Sequence, residues 1–371
     1  MAEREPHDSP DRSPAHIRAP SFEPDGGVRS ASSELAADGD AVTVSCPSCG
    51  TPGARPRLAA RDVNLRTSRD EFTIYSCSAC GLAFTDPRVQ RMEMATIYAA
   101  GYQPYISYAV PWYGRSSAGR RLKGALDRSA DYYALTSPQL VRPERLRSEP
   151  GFVWEIGCGV GELLGRFKSG GWRVLGVEPS KDAADIARQN GIPVEVQRAQ
   201  DASLPPEKAD LIVLNHSLEH IADLDAVLRK CSEALQPDGT LIVAVPNFDS
   251  PGRRFFGGAW IHLDVPRHFY HFAPGVLDRL AATYGFRTQR VAYDNSLEAI
   301  VTSMRNLVRA RSLRSAELPS GGASRRSILG TLESRVSRLS VVSCLSALLL
   351  PVLWLTRSRL NSSMVFVFRK T

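Results

Sequence analysis

Between residues 151 and 293, short apolar runs alternate with helix-patterned segments, and no other feature of the 371-residue chain limits its fold so tightly. Strands are expected at 152–156, 173–177, 194–197, 210–215, 240–245 and 286–293, and helices at 162–169, 182–189, 224–235 and 274–284. Alternation of this kind calls for right-handed crossovers and a parallel sheet covered on both faces. The expected class is therefore α/β, a Rossmann-like doubly wound sheet.

The first strand runs into Glu155-Ile156-Gly157-Cys158-Gly159-Val160-Gly161 and then a helix. Glycines at a strand's carboxyl end let the backbone approach a ligand closely, where doubly wound sheets bind. The dinucleotide fingerprint is G-x-G-x-x-G, whereas here the third glycine comes one position early. An acid also stands two residues before the first glycine, suited to orienting a cationic amine.

On these residues, 151–293 resembles the core of a class I S-adenosylmethionine-dependent methyltransferase. The resemblance implies S-adenosylmethionine as cofactor, held at Glu155, Gly157, Cys158, Gly159 and Gly161. It places Glu178, followed by Pro179, on the ribose hydroxyls, Asp201 and Ala202 at the adenine, and Asn215 on the floor of the site. The run Leu235-Gln236-Pro237-Asp238-Gly239-Thr240 matches the family's L-x-P-G-G turn, with Asp238 replacing the first glycine. The family also inserts a final antiparallel strand between its fifth and sixth, a part that 364–369 would fill. The core is thus read as 149–296 and 361–371, with 297–360 a helical insertion. Family chemistry is an in-line displacement at a sulfonium methyl, so positioning supplies much of the acceleration. A base is needed only where the nucleophile must shed a proton.

Five of the seven histidines fall between residues 216 and 271. A helix after the fourth strand would put His216, Glu219 and His220 on one face. Beyond the fifth strand, the tract from Trp260 to Phe272 mixes aromatics with His262, Asp264, Arg267, His268 and His271. Such a mixture suits a polar acceptor, a sugar or a phenol. The candidate catalytic residues are Glu219, His220, His216, His262 and His268. Two branches are similar here. Deoxysugar C-methyltransferases carry an N-terminal zinc ribbon and a Glu-His pair implicated in proton removal. Ubiquinone-type O-methyltransferases share Leu-Glu-His and use a divalent cation near it, with Glu where this chain has His216.

Cys46-Pro47-Ser48-Cys49-Gly50 and Cys77-Ser78-Ala79-Cys80-Gly81 are two knuckles separated by 27 residues. Together Cys46, Cys49, Cys77 and Cys80 would close a tetrahedral, structural zinc site with no open position. Residues 41–90 are read as a zinc ribbon, and 91–148, with its many tyrosines, as a connector or lid. Residues 1–40 hold five prolines and almost no large apolar residues, the composition of a disordered segment.

The formal charge of +7 is unevenly spread: residues 301–371 carry 12 basic and 2 acidic residues. The ribbon and core lie outside that basic tract, which disfavours nucleic acid as a partner. Residues 339–356 contain no charge and are flanked by arginines, so an anionic membrane surface is a candidate partner. No apolar leader follows Met1, and the protein is expected in the cytoplasm, peripheral on the membrane's inner face where the tract engages lipid. The expected acceptor is a small molecule, a saccharide or lipid-linked glycan, or alternatively a phenolic or quinone-type lipid.

Overall fold

A computed structural model describes residues 43–86, 134–137, 141–205, 207–294, 297–317 and 362–371. The segment 1–40, nearly all of the tyrosine-rich connector, and the uncharged run 339–356 lie outside them.

Three short strands come first: β1 (Arg55–Arg61), β2 (Glu71–Ser76) and β3 (Ala83–Asp86), paired antiparallel in that order. Phe72 and Ile74, two residues apart on β2, both point to the buried face. After a four-residue helix, α1 (Pro143–Leu146), comes the alternating part. It runs β4 (Phe152–Ile156), α2 (Glu162–Ser169), β5 (Arg173–Val177), α3 (Lys181–Gln189), β6 (Val194–Glu195) and β7 (Ala209–Asn215). Next come α4 (Leu224–Ala234), β8 (Leu235–Pro246), α5 (Pro251–Phe256), β9 (Tyr270–His271), α6 (Pro274–Ala282) and β10 (Phe286–Asp294). The last elements are α7 (Leu297–Glu317) and β11 (Ser363–Lys370).

The larger sheet has the order β10-β11-β8-β7-β4-β5-β6. Strands β6 to β8 by way of β4 are parallel, whereas β11 runs antiparallel between β8 and β10. All five residues of β4 are buried, as a central strand covered on both faces requires. Helix α4 buries Leu224, Val227, Leu228, Cys231 and Ala234, a stripe at helical spacing. Ser180, Asp223 and Ser250 cap α3, α4 and α5 by accepting from Ala183, Ala226 and Arg253 amides. The doubly wound sheet and its antiparallel insertion are as the sequence led one to expect. Chain order reverses beside β4, with β5 on one side and β7 on the other, and this is where such sheets open a crevice.

Three local features differ from expectation. Strand β8 begins at Leu235, so the 236–239 turn lies within it, with Asp238 at φ 58°. The helix expected over His216, Glu219 and His220 is a single 3₁₀ turn, Leu218–His220, with His216 outside it at φ 53°. A second helix cannot extend from that turn because Ile221 is extended and Asp223 caps α4. Finally, β9, from the tract after β8, pairs with β3 and becomes the fourth strand of the N-terminal sheet.

The two sheets share a core, in which Cys77, Leu82 and Phe84 cluster with Trp154, Ile212 and Val243 of the larger sheet. Phe72, Ile74 and Ala83 pack in one cluster with Trp260, Leu263, Val265 and Ile300 of α7. Gly258 meets β1 so closely that a Cβ there would stand 2.6 Å from the Ala59 carbonyl oxygen. Among the described residues, no helix is long and apolar enough to cross a membrane.

Candidate functional site

The turn after β4 is built from backbone. Amides of Gly157 and Cys158 both donate to the Val177 carbonyl at the end of β5, at 2.7 and 3.1 Å. Gly157 has φ 78°, and a Cβ on it would lie 2.5 Å from Ser217 Cβ. Glycine at this position is thus required twice, by conformation and by space. Ser217 in turn donates to the Ile156 carbonyl at 2.7 Å, tying the ends of β4 and β7 together. It is a site-forming residue that the sequence alone did not single out.

Two acids close the same end. Glu178 Oε2 accepts from the Gly159 amide and Oε1 from the Ser180 amide, each at 2.9 Å. The carboxylate thereby holds the glycine turn against the end of β5. Glu155 is fully buried, and its Oε2 has no hydrogen-bond partner. Burial first, and then the Glu178 charge, push its carboxyl well above the usual carboxylate range. A cation entering this crevice would relieve both effects. Cys158 is buried and its thiol is pushed up by burial, then by Glu155 and Glu178. It fills space against Gly176, where a Cβ would lie 2.4 Å from its sulfur, and is no nucleophile.

The remaining cofactor candidates are held in different ways. Ala202 is buried, while the Asp201 carboxylate pairs with Arg198. Their loop is held from α4 by Lys230 Nζ, which donates to the carbonyls of Gln200, at 2.7 Å, and Ala202. Asn215 Nδ2 donates to the Thr136 carbonyl at 3.1 Å, and its Oδ1 is buried with no hydrogen-bond partner. Pro179 directly follows Glu178 at the end of β5. An orphaned carboxylate oxygen, an orphaned amide oxygen and a glycine cradle fit a nucleoside that carries an amino-acid arm and a positive centre.

Past β7, Glu219 is 1% exposed, and neither of its carboxylate oxygens accepts a hydrogen bond. His216 Nδ1 stands 3.4 Å from Oε1 without completing one. His220 Nδ1 bonds the Arg267 carbonyl at 3.1 Å, and His268 Nδ1 bonds the His262 carbonyl at 2.9 Å. A carbonyl only accepts, so each Nδ1 carries the proton and each ring has its lone pair on Nε2. The two rings meet edge to face with centroids 4.5 Å apart. Burial is the main cause that lowers both imidazoles below their ordinary range, His268 strongly, so both are neutral at neutral pH. One donor atom from each of Glu219, His220 and His268 lies within 4.8 Å of the others, so the trio is able to hold a metal ion or to take up a proton.

His262 and His216 do not join that trio. His262 is half-buried against Trp260, its Nε2 has no partner, and desolvation of the ring pushes it down to about 3. His216 is more than a third exposed. His271 has a different tautomer. Thr85 spends its hydroxyl proton on the His268 carbonyl at 2.7 Å, so His271 Nε2, 2.9 Å from the same oxygen, is the donor. His271 therefore offers no lone pair at Nε2.

At the far end of the N-terminal sheet, Cys46 Sγ lies 3.7 Å from Cys80 Sγ, and Cys49 Sγ lies 3.5 Å from Cys77 Sγ. All four cysteines are free and mutually within 4.8 Å. Tetrahedral sites with metal–sulfur bonds of about 2.3 Å have sulfur–sulfur edges of about 3.8 Å, so the spacing fits such a metal.

Among known proteins, the chain is similar to methyltransferases. A family described as "Methyltransferase domain" matches residues 128–291. The chain is 26% identical over 215 residues to a ubiquinone biosynthesis O-methyltransferase of Chelativorans sp., covering 52% of this chain and 83% of that one. It is 25% identical over 195 residues to the enzyme of that name from Mesorhizobium japonicum, covering 48% and 76%. Against the same-named Rhodopseudomonas palustris protein it is 32% identical over 98 residues, covering 25% and 39%. A solved S-adenosylmethionine-dependent methyltransferase from Archaeoglobus fulgidus aligns with 66% of this chain and all of its own, at 19% identity and a TM-score of 0.40. The chain carries a class I S-adenosylmethionine-dependent methyltransferase domain.

Proposed function

We propose that the protein transfers a methyl group from S-adenosylmethionine to a hydroxyl oxygen of a small polar acceptor, with Glu219, His220 and His268 receiving the proton. The carrying observation is the buried Glu219 carboxylate, whose oxygens accept no hydrogen bond beside two neutral imidazoles. A group so costly to bury is kept for a partner that arrives. Similarity to proteins named ubiquinone biosynthesis O-methyltransferases favours a phenolic oxygen over a saccharide.

The bound cofactor supplies a methyl group already activated by positive sulfur. Glu155 and Glu178 would hold the positive and ribose ends of that molecule, and Asp201 would meet its adenine. The Gly157 turn lets the backbone come close. On the acceptor side, Nε2 of His220 would take the hydroxyl proton as the oxygen–methyl bond forms and the sulfur–methyl bond breaks, with S-adenosylhomocysteine as the leaving group, and Glu219 would stabilise the imidazolium. The same trio would bind a divalent cation, which would lower the pKa of a coordinated phenol and leave its proton to solvent. Zinc in the four-cysteine site is structural in this reading, because four thiolates leave no open position.

The test is incubation of the full chain with S-adenosylmethionine and either catechol or a nucleotide-linked ketodeoxysugar. Methyl transfer to catechol oxygen that is lost in Glu219→Gln supports the reading. Transfer only to sugar carbon would replace it with a C-methyltransferase, a second reading favoured by the N-terminal sheet that adjoins the acceptor tract. The arginine-flanked run 339–356 is proposed to bring the enzyme to anionic membranes where the acceptor is lipid-linked.

A further inference from the structure

The Arg267 side chain bonds both to the loop that follows β1 and to the acceptor tract. Its guanidinium, 0% exposed, makes two paired bonds to Asp62, at 2.9 and 3.1 Å, and two to Asp264, at 2.7 and 2.9 Å. Nη1 also donates to Thr67 Oγ1 at 3.0 Å. Asp62 is itself fixed by the Leu65 and Thr67 amides at 3.1 and 2.8 Å and by the Thr67 hydroxyl at 2.7 Å. The backbone carbonyl of this same Arg267 receives the Nδ1 proton of His220. One residue on, the His268 carbonyl is held by the Thr85 hydroxyl, while the Phe269 carbonyl receives the Thr85 amide at 2.9 Å. The Phe269 amide donates back to the Glu219 carbonyl at 2.8 Å. Thus both peptide units flanking His268 are clamped, one by Asp62 through Arg267 and the other by Thr85.

We infer that the N-terminal sheet is a working part of the acceptor site: Arg267, anchored by Asp62, is a positioning residue that fixes the tautomer and placement of His220, while Thr85 fixes the placement of His268. This rests on reading Glu219, His220 and His268 as the proton-accepting trio. The physical argument is that an imidazole's tautomer follows from the partner of its other nitrogen. If the Arg267 carbonyl moves, His220 loses the acceptor that keeps its proton on Nδ1. A guanidinium held bidentately by Asp62 and by Asp264 is a rigid way to prevent that movement. Small misplacements of reacting groups are expensive, with a 1 Å error able to cost about a hundredfold in rate.

The experiment uses the full chain with ¹⁵N-labelled histidine, read by long-range proton–nitrogen correlation, with S-adenosylhomocysteine as probe of the crevice. His220→Gln and His268→Gln assign the signals. Wild type is expected to show His220 and His268 as Nδ1–H tautomers and His271 as Nε2–H. In Asp62→Asn the His220 signal should drift toward a tautomer mixture while His268, whose Nδ1 is held by the His262 carbonyl, keeps its tautomer, and S-adenosylhomocysteine affinity stays within about twofold, as expected for sites without shared partners. Unchanged tautomers alongside a lowered melting temperature would overturn the inference and leave Asp62 and Arg267 as structural glue. Should Asp62→Asn fail to bind the probe, Thr85→Val carries the test, because it removes only the hydroxyl between His268 and His271. A moved His268 signal supports the clamp, and an unmoved one overturns it. The tautomer readout needs no turnover. Absence of methyl transfer to catechol with intact tautomer coupling would therefore count against the proposed function alone.

Discussion

Asp62 and Arg267 form a bidentate ion pair across 205 residues of sequence, with both side chains entirely buried. The pair joins the N-terminal sheet to the tract that follows β8, and it makes the stability of one depend on the other. Removing one partner strands a buried charge, which costs about 3–5 kcal/mol. Asp62→Ala should lose stability on that scale in urea unfolding. A double replacement of Asp62 and Arg267 by Leu and Met should recover much of it. If Asp62→Ala lowered stability by less than about 1 kcal/mol, Asp264 alone would suffice for the guanidinium.

Acid should weaken the fold well before its carboxylates titrate. His262 and His271 are pushed down to about 3 by burial, and His268 and His220 are lowered as well. The unfolded chain takes up a proton on each near the ordinary value of about 6.5, whereas the folded chain refuses it. The stabilisation is therefore complete above that pH and drains away as pH falls toward about 3 for His262 and His271. Each buried ring contributes a slope of about 1.4 kcal/mol per pH unit in that window. Urea midpoints measured between neutrality and mild acid should fall accordingly. His271→Gln, whose amide still donates to Thr85, should remove one ring's share of the slope.

Glu178→Ala should weaken binding of S-adenosylhomocysteine by about 1.5–3 kcal/mol, the value of hydrogen bonds to a charged group. The side chain has two duties here, since its oxygens also accept from the Gly159 and Ser180 amides. Glu178→Gln separates them, because it keeps an acceptor for one amide while discarding the charge. Calorimetry with equal affinities for wild type and Glu178→Ala would take this residue out of the cofactor site.

A single zinc per chain is expected by elemental analysis, absent in Cys77→Ser. Because β3 pairs with β9, loss of the metal should be felt at His271 and not stop at the knuckles. Metal-free wild type with all four thiols reactive would sink the assignment.

How much of this could be read from sequence depended on how local the cause was. Strands β4 and β5 and helix α2 were legible to the residue, since apolar runs, a glycine turn and a closing Gly170 all act within a few positions. The place of β11 between β8 and β10 was legible from the family resemblance, which local pattern alone would not supply. The 3₁₀ turn at 218–220 was misread as longer helix, although Asp223 as a cap was a readable sign that a new helix starts there. The union of β3 with β9 was not legible. Thr85 and His268 are 183 residues apart, and no periodicity or composition announces that a threonine hydroxyl will meet a distant carbonyl. Arg267 was noticed only as one polar residue in an aromatic tract. Its importance comes from Asp62, an acid with nothing unusual in its local sequence.

Glu219 offers the sharpest separation of stability from function. Its carboxylate is 1% exposed, accepts no hydrogen bond, and has His216 Nδ1 3.4 Å away. Leaving a buried polar group unsatisfied costs about 1–3 kcal/mol, and more for a charge. Glu219→Gln has nearly the same shape and lowers that cost, so the variant should unfold at equal or higher urea concentration than wild type. If the carboxylate receives or steadies the acceptor's proton, the same change should abolish most methyl transfer to catechol. Affinity for S-adenosylhomocysteine should not move, because the crevice beside β4 does not use this side chain. Gain in stability with loss of turnover is the signature of a strained functional group. A less stable variant would mean that Glu219 holds a structural partner, and a fully active one would move the proton's destination to His216 or solvent.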